Sequence, residues 1–226
     1  MSAPAVRRTR AKRGSGDLLR EEIVVAAKRL LAEADRADDV PMRAVADAVG
    51  VTTPSIYLHF ADKQELLGAV VADVFGELDA AMVEAAAEET TPLGRLRAFG
   101  LAYVRFALDH PEHYRLAMLE PCPKPNIEID EVLHSSAFSH MQSTVEECVA
   151  AGIFRGEPRA ITFEMWAAAH GVAALMIAKP YLPFGTAEDF ADRTLCAAAI
   201  GHAVRALVGD DPTPDAMTEW LGQQRS

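Results

Sequence analysis

PMRAVADAVGVTTPSIYLHFADKQELL, residues 41–67, reads as two short helices, a tight turn and the start of a third helix. Met42, Val45, Ala46 and Val49 recur at helical spacing, so one face of the first helix is apolar while Arg43 and Asp47 point elsewhere. Gly50, just past the last periodic residue, suits the left-handed conformation that closes a helix, and Val51 tucks the turn onto the core. Thr52 or Thr53 is placed to cap the next helix with its hydroxyl, and Pro54 falls within the first turn, where its missing N–H costs little. Ile56 and Phe60, four apart, face inward. Thr52, Thr53, Ser55, Tyr57, Leu58 and His59 are then left on or near the outer surface.

That outer surface has short side chains at its N-terminal end and few charges. A helix entering the major groove needs small groups at its tip to reach base edges, with hydroxyls and aromatic rims against phosphates and thymine methyls. Helix, glycine turn, helix is also a common corner in all-α proteins, so spacing alone does not separate a DNA reader from a plain corner. The residues go further. Ala46, Gly50, Val51, Thr52, Ile56, Tyr57, His59, Phe60, Lys63, Leu66 and Leu67, within a segment from about Leu18 to Leu78, closely resemble the DNA-binding signature of the tetracycline-repressor (TetR) family. The resemblance implies a ligand-responsive transcriptional repressor with Thr52, Thr53, Ser55, Tyr57 and His59 facing DNA and Arg43 and Lys63 on flanking phosphates. Two positions depart from the family pattern: Pro41-Met42 stands where a Thr or Ser cap is usual, and Leu58 where a larger aromatic or polar residue is frequent.

Outward from this stretch, the chain reads as all-α. Its 226 residues are half apolar, alanine is abundant, and no alternating segments separated by glycine turns occur. We divide it into a disordered basic arm (1–16), a three-helix helix-turn-helix head (17–63) and an α-helical ligand-binding and dimerisation body (64–226). The arm carries Arg7, Arg8, Arg10, Lys12 and Arg13 without a hydrophobic period, which suits either a phosphate-tracking extension or a solvated tail. The first helix runs from about Asp17 to Ala34. A long helix from near Asp62, with an apolar stripe from Leu67 to Met82, links head to body.

The body follows with helices predicted at Pro92–Asp109, from Pro111 through Leu119, at about 130–151 ending at Gly152, at Pro158–Lys179 and at Thr186–Val208. A short one begins at Thr213-Pro214, and the segment 120–129 reads as a loop. The last two long helices are rich in Ala and carry Gly171 and Gly201, so neighbouring helices can approach closely. The family resemblance implies that they pair with a second copy in a four-helix interface. A dimer has a physical reason, because two heads on one axis read half-sites about 34–36 Å apart, or a multiple of this.

The net charge is -11, which by itself argues against a polyanionic partner. Its distribution reverses the argument: residues 1–63 hold 11 basic and 9 acidic side chains, a balance of +2, which leaves -13 on the remainder. Cys122, Cys148 and Cys196 are odd in number and widely spaced, so the economical expectation is a reduced, cytoplasmic protein. The longest apolar run, Ala167–Ala178, is too short for a membrane span and no signal peptide is visible.

Trp166 and His170 share a helical face, and Trp166-x-x-x-His170-Gly171, preceded by Gly152-Ile153-Phe154, resembles the C-terminal domain of one TetR subgroup, the WHG type. A small, mostly apolar effector would meet them on a cavity wall; alternatively both fill the core. Phe99, Tyr103, Phe106 and Tyr114 are candidate lining residues on the same logic, as are Met118, Phe138 and Met141, although such residues at helical spacing commonly form plain core. His110 and His113, with Glu112 and Glu120 nearby, raise a metal reading. A spacing of three around a helix-breaking proline predicts poor geometry and implies no third ligand, so we expect a helix junction there, with no metal and no cofactor. No G-x-S-x-G, phosphate loop or H-E-x-x-H occurs, and catalysis is unsupported. The rival to a DNA-binding regulator is a helical small-molecule sensor or carrier that acts through a protein partner without specific DNA binding.

Overall fold

A computed structural model describes residues 15–34, 37–119, 136–208 and 213–224. The arm up to residue 14 and the segment at 120–129 lie outside these residues. Among the described residues every regular element is helical: α1 (Ser15–Glu33), α2 (Met42–Val49), α3 (Thr53–Ile56), α4 (Lys63–Ala86), α5 (Pro92–Asp109), α6 (Pro111–Tyr114), α7 (Ser136–Ala150), α8 (Pro158–Ala178), α9 (Ala187–Val208) and α10 (Pro214–Gln223). A 3-10 turn at Ala37–Asp39 precedes α2, and a π-turn at Arg115–Leu119 extends α6. The helix expected from about residue 130 is described from Ser136.

The chain forms two compact units. Among the described residues, one comprises 15–75 with 110–119, and the other 76–109 with 136–208 and 213–224. The division therefore falls at Phe75/Gly76, twelve residues beyond the boundary read from the sequence, and α6 joins the first unit. The physical reason lies in the core of that unit. Ile23, Ala27 and Leu31 of α1, Val45 and Ala46 of α2, and Ile56 and Phe60 around α3 are buried together with Leu66 and Val70 of α4. Leu116, from the turn after α6, completes the same cluster. Arg115 Nη2 donates to the Ala34 carbonyl at 2.8 Å and holds this distant segment at the end of α1.

Gly50, at φ +77°, ends α2 as its pattern predicts. Its N–H donates to Asp47 O at 3.3 Å and that of Val51 to Ala46 O at 3.0 Å, a Schellman closure. The same two bonds recur at Gly152 (φ +71°), where Gly152 donates to Val149 O and Ile153 to Cys148 O. The start of α4 is fixed by acidic side chains: Glu65 N–H donates to Asp62 Oδ1, and the Glu65 carboxylate accepts from Ala61 N–H.

In the second unit α5 packs against α7, α8 and α9, while α8 also packs on α7 and α9. Leu96, Val145, Cys148, Phe154, Ile161 and Met165 are buried there, with Met141 against them. Burial pushes the Cys148 thiol up to about 11, so it stays protonated. Ion pairs Arg95–Glu147 and Arg97–Asp192 tie α5 to α7 and α9. By length and composition α8 could cross a membrane, which the shorter run Ala167–Ala178 did not suggest. Its Ile161, Met165, Ala169, Val172 and Ala173 are buried, as in a core helix of a helical unit.

Candidate functional site

The turn after Gly50 is held from beneath. Ile56 and Phe60 are both fully buried, and the Arg20 guanidinium lies over the Phe60 ring at 4.8 Å from its centre. Although α3 itself is one turn long, His59 N–H and Phe60 N–H still bond to Ile56 O, so the backbone keeps turning to Phe60. Thr52 is the residue before α3, with Pro54 in the first turn as expected. The capping hydroxyl is a correction: the Thr52 side chain accepts from no backbone N–H of the helix, and its Oγ1 pairs with the Ser55 hydroxyl at 2.8 Å. Two short hydroxyls so placed satisfy each other in place of a backbone N–H.

With Ile56 and Phe60 inward, Thr52 and Tyr57 are exposed, and Thr53, Ser55 and His59 are partly so. Leu58 is 84% exposed. Arg43 projects from α2 into solvent and pairs with Asp47 one turn on at 3.8 Å. Lys63 is half-buried and lies 3.7 Å from Asp38, so phosphate would compete with a carboxylate for it.

Within the second unit four candidate ligand residues come together. The Trp166 indole N–H donates to Tyr103 Oη at 3.2 Å, and Tyr103 Oη lies 3.2 Å from His170 Nδ1. An indole only donates, so Tyr103 Oη accepts from Trp166, and the direction of its bond with His170 Nδ1 follows the imidazole tautomer. Burial lowers the His170 pKa and so favours the neutral ring. Phe138 meets the Trp166 ring edge-on at 6.4 Å, and the Phe163 ring lies 5.1 Å from that of Phe138. Phe163 was not among the candidates, although Phe163, Trp166 and His170 stand at i, i+3 and i+7 on α8 and the spacing was there to find it.

Phe99 is buried on α5 and Phe106 partly buried there, while Met141 packs against the Leu96–Val145 cluster. Tyr114 and Met118 are corrections of place: expected on the body, they belong to the first unit, where Tyr114 is 2% exposed. Their segment is carried there by Leu116 and Arg115. A second polar group joins α8 to α9, with His202 Nε2 at 3.2 Å from Glu164 Oε2 and Arg205 at 3.8 Å from the same oxygen. Burial lowers the His202 pKa and Glu164 opposes the shift.

Residues 23–70 match the family model for bacterial regulatory proteins of the tetR family, and residues 96–198 that for the tetracyclin repressor-like C-terminal domain. The chain belongs to the TetR family. It is thus a DNA-binding transcription regulator with a helix-turn-helix head and a ligand-binding body, and not an enzyme. Among solved structures, a Rhodococcus sp. RHA1 protein of unknown function is 29% identical, with a TM-score of 0.69 over 82% of this chain and 95% of that one. A putative tetR family regulator from Shewanella sp. PV-4 shares the fold at 13% identity and a TM-score of 0.67, covering 81% and 97% of the two chains. RolR, solved with resorcinol, does so at 15% and 0.63, covering 86% and 94%. No curated protein matches the sequence.

Proposed function

We propose that this TetR-family chain is a cytoplasmic, homodimeric repressor that a small, mostly apolar molecule releases from a palindromic operator. The observation that carries the DNA half is the outer face of the α3 turn. Thr52, Ser55, Tyr57 and Leu58 face solvent on a backbone whose two inward anchors, Ile56 and Phe60, are fully buried. Thr52, Thr53, Ser55, Tyr57 and His59 read the groove, with Arg43 and Lys63 on flanking phosphates.

Dimerisation is supported by an apolar face that the described chain leaves open. Ala167, Gly171 and Leu175 line one side of α8, and Ala197, Ile200, Gly201 and Leu207 one side of α9, all exposed. A Cβ built on Gly171 or Gly201 meets nothing within 4 Å, which leaves room for another helix. The effector sits against Tyr103, Phe138, Trp166 and His170, where aromatic rings supply apolar contact and the His170 ring orients a polar group.

Selection of bound sequences from random duplex DNA, repeated at two salt concentrations, tests the reading. A palindromic site is the expected result. Weak, sequence-blind binding that vanishes with salt would reject it in favour of a sensor acting through a protein partner.

A further inference from the structure

Three side chains at the start of α6 take no part in the DNA-facing turn or the aromatic cluster. His110 is the residue before the helix, Pro111 its first residue, Glu112 its second and His113 its third. A side chain at the N-cap position folds back over the first turn and meets the one three residues on, the geometry that underlies capping boxes. Pro111 therefore does not separate the two histidines; it sets the turn that joins them. Glu112 stands beside them as a third donor, which the spacing of the two histidines did not imply.

The imidazole rings lie 16° from parallel with centres 5.6 Å apart. One ligating atom from each of His110, Glu112 and His113 falls within 4.8 Å of the other two. Three points no more than 4.8 Å apart always share a centre within about 2.8 Å of each (4.8/√3). Zinc bonds to imidazole nitrogen and carboxylate oxygen are ~2.0–2.2 Å, so each donor must move in by less than ~1 Å and the two stacked rings must turn until their in-plane lone pairs converge on one ion.

We propose that His110, Glu112 and His113 bind one divalent transition-metal ion of the zinc class. Two imidazoles and a carboxylate suit zinc and its neighbours, whereas magnesium and calcium call for oxygen donors throughout. His110 is exposed and the other two are half-buried, so an ion enters from solvent and keeps a position for water. The ion fastens a turn from which Tyr114, Arg115 and Leu116 run into the core of the DNA-binding unit. It therefore stabilises that unit by linkage.

The test uses the untagged full chain, stripped with a chelator, titrated with Co(II) as a spectroscopic probe and then with Zn(II) in competition. We expect one Co(II) per chain with tetrahedral ligand-field bands, displacement by zinc and a rise in Tm. His110→Ala and Glu112→Gln should each weaken binding at least ~10-fold at unchanged helix content. His140→Ala removes a histidine paired with Asp79 elsewhere, and should leave the affinity as it was. Absence of saturable binding, or wild-type affinity in either of the first two variants, overturns the proposal.

Discussion

Tyr57 and His170 show how differently single residues depend on their surroundings. Tyr57 stands half-exposed between two buried anchors, so its removal should leave the fold intact. Tyr57→Ala is expected to weaken operator binding by ~10–100-fold, the equivalent of about 1–3 kcal/mol, with unchanged helix content; retained affinity would relocate the reading face. His170 and His202 both have pKa values lowered by burial, so the unfolded chain binds protons more readily than the folded one. Their contribution to stability is thus fully present above the ordinary histidine pKa of about 6.5 and is lost as pH falls below it. Thermal unfolding between pH 7.5 and 5.5 should show that decline, and His170→Gln should make it shallower. An unchanged slope would mean that His170 titrates normally.

At the scale of elements, the sequence was most readable where one residue enforces a boundary by itself. Gly50 and Gly152 close α2 and α7 through positive φ, and Pro92, with the His110-Pro111 break, brackets α5 at the predicted residues. Gly50→Ala should cost about 1 kcal/mol through the strain of a Cβ at that φ, lowering Tm by about 2–4 °C, as calorimetry would show. What was not readable depends on contacts distant in sequence. Leu116 looks like any periodic apolar residue, and only its burial beside Ile23 and Ile56 reveals which unit it completes. Glu112 counts as a donor only once the turn over Pro111 is known. Phe163 was visible in the spacing, while the bonds from Trp166 to Tyr103 to His170 join two helices and leave no local signature.

For the molecule as a whole, the charge asymmetry and the open apolar face bear on assembly. A second copy seated on α8 and α9 would cover Leu175, Ile200 and Leu207. Ile200→Glu, at a residue 59% exposed, should leave the single chain folded and shift sedimentation toward monomer; an unaltered dimer would place the interface elsewhere. The first unit is drawn from two separated stretches of sequence, and this matters during synthesis. Its core lacks Leu116 until 41 further residues, Gly76 to Leu116, have followed Phe75. At ribosomal rates of about 5–20 residues per second this interval lasts about 2–8 s. Throughout it the nascent DNA reader waits, unfinished, for a piece of itself that is encoded after the first helices of its neighbour.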